Sequence, residues 1–348
     1  MSDPARVAPA LIAWHERHGR HDLPCQREPT PFRVWVSEIM LQQTQVATVI
    51  GYYERFMARF PDIRALAAAP LDDVLHLWSG LGYYSRARNL HRAAQLVCEE
   101  HDGEMPTSAE QLQQLPGIGR STAAAIRALS AGERAAILDG NVRRVLMRYF
   151  AIESPPGQTA VERRLWQLAE ACTPEENAAT YTQAIMDLGA TICVRRRPLC
   201  AACPLQPHCR AHATGMQHAI PAPRRRPARR AQAVVMLLAQ RTDGSVLLER
   251  RPARGVWGGL WSPPQFPSIE AARLYADTNL AEPAVEPQAR APMRHAFTHF
   301  DLDITPLLAR CAGPAGVMDG VDTLWYNAAQ PERVGLPAPV TTLIRSLS

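Results

Sequence analysis

The 348-residue chain contains no lysine; all 38 residues counted as lysine plus arginine are arginine. That absence excludes chemistry that needs a lysine amine: Schiff-base catalysis, pyridoxal-phosphate attachment and the P-loop lysine that reaches nucleotide phosphates. Long apolar runs are missing too. No stretch approaches the roughly 20 apolar residues of a membrane span. Residues Met1 to Ala10 include Asp3, Pro4, Arg6 and Pro9 and no apolar segment, so no signal peptide is expected. The expected compartment is the reducing cytoplasm, where the eight cysteines serve as thiols or metal ligands rather than disulfides. No internal repeat is present.

At about 150 residues per domain, the length predicts two or three domains. The net charge of +5 is uneven. Residues 1–230 hold 28 arginines against 22 acids, and residues 231–348 hold 10 against 11. A basic first part points to a polyanionic partner such as nucleic acid.

Residues 11–213 read as helical. The clearest apolar stripe is Val46, Val49, Ile50, Tyr53, Phe56, Met57 and Phe60, ended by Pro61, with a shorter one at Leu90, Ala93, Ala94 and Val97. Both are read as core faces. Pro221 to Arg230, with three prolines and five arginines, reads as an exposed linker. Beyond it the pattern changes. Ala233 to Ala239 is an apolar run, Asp243-Gly244 is a hairpin signal, and Ser245 to Glu249 follows as a strand. Ser268 caps a helix running to Ala276, and His295 to Ile304 and Thr323 to Tyr326 read as further strands. The second domain is therefore α+β.

Cys193, Cys200, Cys203 and Cys209 are spaced C-x6-C-x2-C-x5-C, and Pro198, Pro204 and Pro207 forbid a continuous helix between them. Four thiolates in one loop suit either an iron–sulfur cluster or a structural zinc. Arg195, Arg196 and Arg197 lie in the first interval and present guanidinium groups that suit phosphates. Cys25, Cys98, Cys172 and Cys311 stand alone and read as packing residues.

Leu115-Pro116-Gly117-Ile118-Gly119-Arg120 leads into Ser121-Thr122-Ala123. Two glycines before a helix start permit positive φ and offer free N–H groups to an anion, and a plain helix–turn–helix connection has the same look. Twenty residues after Gly119 stands Asp139, either a helix cap or a functional acid. Glu38 sits in the apolar, amide-rich segment Val34 to Gln45. It is either a surface acid or an acid whose apolar neighbours raise its pKa and keep a proton available.

The cysteine spacing resembles the [4Fe–4S] loop of the endonuclease III superfamily, which implies one such cluster held by Cys193, Cys200, Cys203 and Cys209. The hairpin and Asp139 together resemble the helix–hairpin–helix plus Gly/Pro-Asp motif of DNA glycosylases. Members that also cut the strand place a lysine in the turn after the hairpin, where this chain has Ser121. The stretch around Glu38, with Gly80 to Leu90, resembles adenine DNA glycosylases of the MutY type from about Trp14 to about Val340. That resemblance implies that Glu38 protonates the adenine ring and that Asp139 stabilises the charge developing on the sugar, with Asn141 and Ser121 supporting it. Gln43 and Tyr83 are implied to fill or wedge the base stack, and Leu115, Gly117, Gly119 and Arg86 to bind DNA. Cys25 stands where the family commonly has tryptophan near the base pocket, and Gln26 is a second variable point.

Gly255 to Trp261 and Arg294 to Phe300 resemble the family's C-terminal, Nudix-related domain. Phe297, Thr298 and His299 are implied to form the loop that reads 8-oxoguanine, with Thr298 and His299 offering hydrogen bonds. Only Glu270 stands where a Nudix hydrolase needs several glutamates for magnesium, so recognition without hydrolysis is expected. The whole implies an all-α helix–hairpin–helix glycosylase domain at 1–220 carrying a cluster loop at 193–209. A linker at 221–231 and a Nudix-like α+β domain at 232–348 complete it. The expected activity is monofunctional excision of adenine opposite 8-oxoguanine or guanine in double-stranded DNA, by a monomer associated with the nucleoid and not with membranes. The alternatives are an endonuclease III-like glycosylase/lyase acting on oxidised pyrimidines, and a non-catalytic iron–sulfur protein that binds mispairs.

Overall fold

The computed structural model describes residues 2–223, 229–283, 286–314 and 322–347. Contacts divide the chain into two units, Met1–Ala68 with Asn89–Arg226, and Ala69–Arg88 with Pro227–Ser348. This differs from a simple cut near residue 220: the segment Ala69–Arg88 packs with the C-terminal part.

The helices in chain order are α1 (Val7–His18), α2 (Pro31–Leu41), α3 (Val46–Arg59), α4 (Ile63–Ala68), α5 (Leu71–Trp78), α6 (Ser85–Glu100), α7 (Ala109–Gln114), α8 (Arg120–Ala131), α9 (Gly140–Tyr149), α10 (Thr159–Cys172), α11 (Ala178–Asp187) and α12 (Arg210–Ala213). α2 is central to the first unit. Thr30 caps it by accepting the Arg33 N–H, Pro31 pre-sets its first turn, and it packs on α3 and α8. Phe32, Val34, Trp35, Val36, Ile39 and Met40 are all buried, so it is covered on most sides. α8 packs against it and buries Ala123, Ala124, Ala125 and Ala128, small residues that let helices approach closely. The predicted stripes hold: Val49, Tyr53, Phe56, Met57 and Phe60 are buried, as are Leu90, Ala93, Ala94 and Val97.

The second unit is built on a nine-stranded sheet. Its strands are β1 (Arg230–Arg241), β2 (Val246–Arg250), β3 (Trp261–Ser262), β4 (Gln265–Phe266), β5 (Leu280–Pro283), β6 (Gln288–Ala289), β7 (Met293–Ala296), β8 (Phe300–Pro314) and β9 (Thr323–Tyr326). The main path is β3-β2-β1-β8-β5, with β4 on β1, β6 and β7 on β8, and β9 on β2. β1 and β8 run parallel from Arg230 beside Phe300 to Arg241 beside Cys311. Val235 to Ala239 are all buried, the continuous apolar run of a central strand covered on both faces. Helix α13 (Ile269–Asn279), capped by Ser268, packs Ala272 and Ala276 onto the sheet, and α14 (Ala338–Arg345) closes the chain.

Two further sequence expectations change. His295 to Ile304 is not one strand: β7 and β8 form a hairpin whose turn is residues 297–299, closed by Phe297 N–H donating to Phe300 O at 2.8 Å. Arg230 and Ala231, expected in the linker, already pair in β1. Of the remaining linker, residues 224–228 lie outside the described part. Among the described residues no helix is long and apolar enough to cross a membrane.

Candidate active site and cysteine-lined pocket

The first unit holds a cleft of about 1460 Å³ whose walls include Glu38, Gln43, Ser121, Asp139, Asn141 and Arg144. Residues from α2, α8 and α9, up to about 100 positions apart in sequence, thus meet around one space.

Glu38 comes from α2, between buried Ser37 and Ile39. Burial, and then the charge of Asp139, raise its pKa to about 7 from the ordinary carboxylate value. Asp139 caps α9 by accepting the Val142 N–H at 2.7 Å. Burial raises its pKa, opposed by the Val142 and Asn141 N–H groups and by the charges of Arg144 and Arg143. The cap reading and the functional reading of Asp139 therefore coincide: the helix start that holds the carboxylate also favours its anion. Two carboxyls with mutual repulsion, one of them protonated near neutrality, give an acid beside an anion.

Ser121 reaches Asp139 through the backbone. Its hydroxyl accepts the Leu138 N–H at 3.0 Å and so fixes the backbone entering Asp139. Asn141 Oδ1 accepts from Arg144 at 2.8 Å, and the same guanidinium donates to Gly189 O at 2.6 Å and Cys193 O at 2.7 Å. Gly189 is needed there, because a Cβ on it would lie 2.6 Å from the Asn141 Cβ. Sequence reading missed both Arg144 and Gly189. The one available signal was an arginine three residues after Asn141 in a helix otherwise packed inward.

It also missed a charged group lining the same cleft. Arg20 holds buried Asp187 through Nη2 to Oδ1 at 2.5 Å and its own N–H to Oδ2 at 2.9 Å, with Gln183 donating to Oδ1 at 2.8 Å. His15 lies 3.5 Å from the same carboxylate, and burial lowers its pKa. Arg20, Gln183 and His15 line the cleft. Cys25, expected as a packing residue, lines it too. Burial, and then the charge of Glu38, push its thiol up. Gln26 lines the cleft as well and donates to Arg20 O at 2.9 Å.

In the hairpin, Gly117 has φ +84° and a Cβ there would lie 3.1 Å from the Asn89 Cβ, so glycine is required twice over. Gly119 caps α8 with open space beside it. The Leu115 side chain is buried, so only backbone can serve a phosphate there. Gln43, just past α2, lines the cleft and has a left-handed φ of 58°.

In the second unit, Tyr83 is 46% exposed with φ +50°, a backbone state rare for a bulky residue and typical of functional turns. Arg86, expected to bind DNA, is buried. It donates to Gly82 O at 3.2 Å and lies over the Trp78 and Tyr83 rings, and burial lowers its pKa to about 10. It supports the turn that presents Tyr83. Phe297 stacks on Phe300 at 4.5 Å, leaving Thr298 and His299 exposed at the hairpin tip. The Tyr83 hydroxyl stands 3.2 Å from Thr298 Oγ1. Asp72 ties α5 to the sheet of this unit, accepting from Arg250 at 2.9 Å and Trp261 Nε1 at 3.2 Å.

The four cysteines Cys193, Cys200, Cys203 and Cys209 line a small apolar pocket of about 30 Å³, with Arg148 and His212. All four are free thiols, and burial pushes Cys203 up to about 12. Among the described residues, no three metal-binding side chains converge closely enough for a single ion. Four soft sulfurs lining one pocket suit a metal centre, either an iron–sulfur cluster or a zinc ion.

Residues 36–171 match the family described as HhH-GPD superfamily base excision DNA repair protein, and residues 234–346 match the NUDIX domain. The adenine DNA glycosylase of Buchnera aphidicola subsp. Acyrthosiphon pisum (strain APS) is 36% identical over 342 residues, covering 97% of this chain and 96% of that protein. The solved structure of a thermostable thymine-DNA glycosylase has TM-score 0.54 and 26% identity, covering 60% of this chain and 95% of that one. A non-covalent endonuclease III–DNA complex has TM-score 0.52 at 22% identity, over 62% of this chain and 100% of that one, a likeness of fold.

Proposed function

The chain belongs to the adenine DNA glycosylases, hydrolytic enzymes of base excision repair, and on that footing we propose that its substrate is adenine paired with 8-oxoguanine or guanine in double-stranded DNA. The observation that carries the mechanism is one cleft holding Glu38, protonated up to about pH 7, beside Asp139 at a helix N-cap.

The adenine leaves the stack and enters the cleft. Neutral Glu38 gives its proton to the adenine ring nitrogen N7, which makes the base a better leaving group. As the N-glycosidic bond breaks, its electron pair stays with the base and positive charge builds on the sugar. The Asp139 carboxylate stabilises that charge, either through space or by a transient bond. Water then adds to the sugar carbon, its proton passing to the Glu38 carboxylate, and an abasic site remains. With Ser121 committed to the Leu138 amide and no lysine in the chain, no side-chain amine forms the imine that leads to strand cleavage.

The hairpin at Gly117–Gly119 and the α8 N-terminus hold the backbone phosphate, Gln43 and Tyr83 occupy the disturbed stack, and the tip Phe297–Thr298–His299 reads 8-oxoguanine. A single [4Fe–4S] cluster on the four cysteines would brace the loop that presents Arg195 to Arg197 to the backbone. In this reading the chain works as a monomer on the nucleoid in the cytoplasm.

Glycosylase assays on A:8-oxoguanine, A:G and thymine-glycol duplexes test the assignment. Glu38→Gln is expected to bind A:8-oxoguanine DNA but to release adenine at least ~100-fold more slowly, the usual scale for a general acid. Release at the native rate would remove Glu38 from the mechanism. Thr298→Val is the cleaner probe of the reader than a truncation, because residues 69–88 pack with the C-terminal part. It is expected to narrow the preference for 8-oxoguanine over guanine, and unchanged preference would refute the role.

A further inference from the structure

Arg148, on α9, is only 2% exposed. Its Nε donates to Ile220 O at 2.8 Å, Nη1 to Val194 O at 2.7 Å and Cys193 O at 3.2 Å, and Nη2 to Arg195 O at 3.1 Å. Nη1 also lies 3.3 Å from Cys193 Sγ. Among the described residues no carboxylate pairs with it, whereas Arg20 pairs with Asp187. A guanidinium cannot shed its proton, so a buried one needs an anion. Carbonyl dipoles solvate it without neutralising it. The group in contact with it that a bound metal centre would hold as an anion is the Cys193 sulfur.

We propose that Arg148 is the built-in counter-cation of the cysteine site and a positioning residue for Cys193, preforming the loop and donating to a ligand sulfur of the bound cluster. The argument has two parts. Four thiolates give the loaded site net negative charge, which a buried cation offsets where water is excluded. The carbonyls of residues 193, 194 and 195 are held at one guanidinium, so the loop start is folded around Arg148. Hydrogen bonds to cluster sulfurs are among the factors that set how a cluster behaves. The same helix begins at Asp139, so the cluster loop and the catalytic acid are fixed by one element.

The inference rests on the cluster reading, which iron and acid-labile sulfide analysis of the native chain tests by itself. The full-length native protein, Arg148→Lys and Arg148→Met are then purified anaerobically and compared by circular dichroism, rate of metal loss to a chelator and the terminal metal–thiolate stretching band in resonance Raman. Arg148→Met is expected to lose metal about 10- to 100-fold faster, the usual scale for a ligand's hydrogen-bond partner, and to shift the band at unchanged helix content. Arg148→Lys, which keeps the charge but cannot reach all the acceptors, is expected to fall between. Native loss rate and native band in the folded variants would overturn the proposal. If Arg148→Met does not fold, the lysine variant decides on the same two readouts.

Discussion

Glu38 carries the chemistry because it is placed where its anion is poorly tolerated. Its pKa of about 7 makes it a proton donor under the conditions in which an ordinary glutamate has none to give. The activity profile of adenine release should therefore be bell-shaped. On the alkaline side it falls about tenfold per pH unit above roughly 7 as the neutral acid is depleted. On the acid side it falls as Asp139, itself held above the usual carboxylate range by burial, takes up a proton. Because the two groups repel, the two inflections belong to the pair. Stability runs with a definite sign. Between about 4.5 and about 7 the folded chain keeps a proton on Glu38 that the unfolded chain has lost, so this group's contribution to stability declines as pH rises through that window. Glu38→Gln should then raise stability at pH 8 by on the order of 1–3 kcal/mol, read as a higher melting temperature. An unchanged or lower value would mean that Glu38 is not held neutral.

At the scale of elements, α9 is the piece on which the site is assembled. Its N-cap is Asp139, its first turn carries Asn141, and Arg144 and Arg148 grip the cysteine loop from its interior. Asp139→Asn retains a capping oxygen, whereas Asp139→Ala loses both cap and charge. Both variants should lose adenine release, but only the alanine variant should lose about 1 kcal/mol of stability in denaturant unfolding. Equal stability of the two would separate the capping contact from the fold. Much of this site was legible in sequence where the signal is short in range. The cysteine spacing, the two hairpin glycines and the acid after Leu138 each lie within one segment. Contacts that join distant segments left no such mark: Arg144 reaches Gly189 across 45 positions and Tyr83 reaches Thr298 across 215. By pattern alone residues 297–299 read through as strand, because Phe-Thr-His contains none of the glycine, proline or asparagine that usually announces a turn, and only the family resemblance marked a loop there. The close approach of Gly189 to Asn141 was equally invisible, since it is set by how two helices cross.

The whole molecule joins a helical unit that holds the acid pair to a mixed-sheet unit whose exposed tip meets the Tyr83 turn. The segment 69–88 was not legible as part of the second unit, because its helical pattern matches its chain neighbours. It is recruited by Asp72 and by the Thr298 contact, both long-range. What unites the residue chemistry with the composition is the missing amine: a chain without lysine must finish with water. The direct test is a single-turnover reaction on an A:8-oxoguanine duplex, with borohydride present in one arm and alkaline treatment in another. Free adenine, an intact strand until alkali is added and no borohydride-trapped protein–DNA crosslink are predicted. A trapped crosslink, or strand cleavage without alkali, would contradict the hydrolytic account.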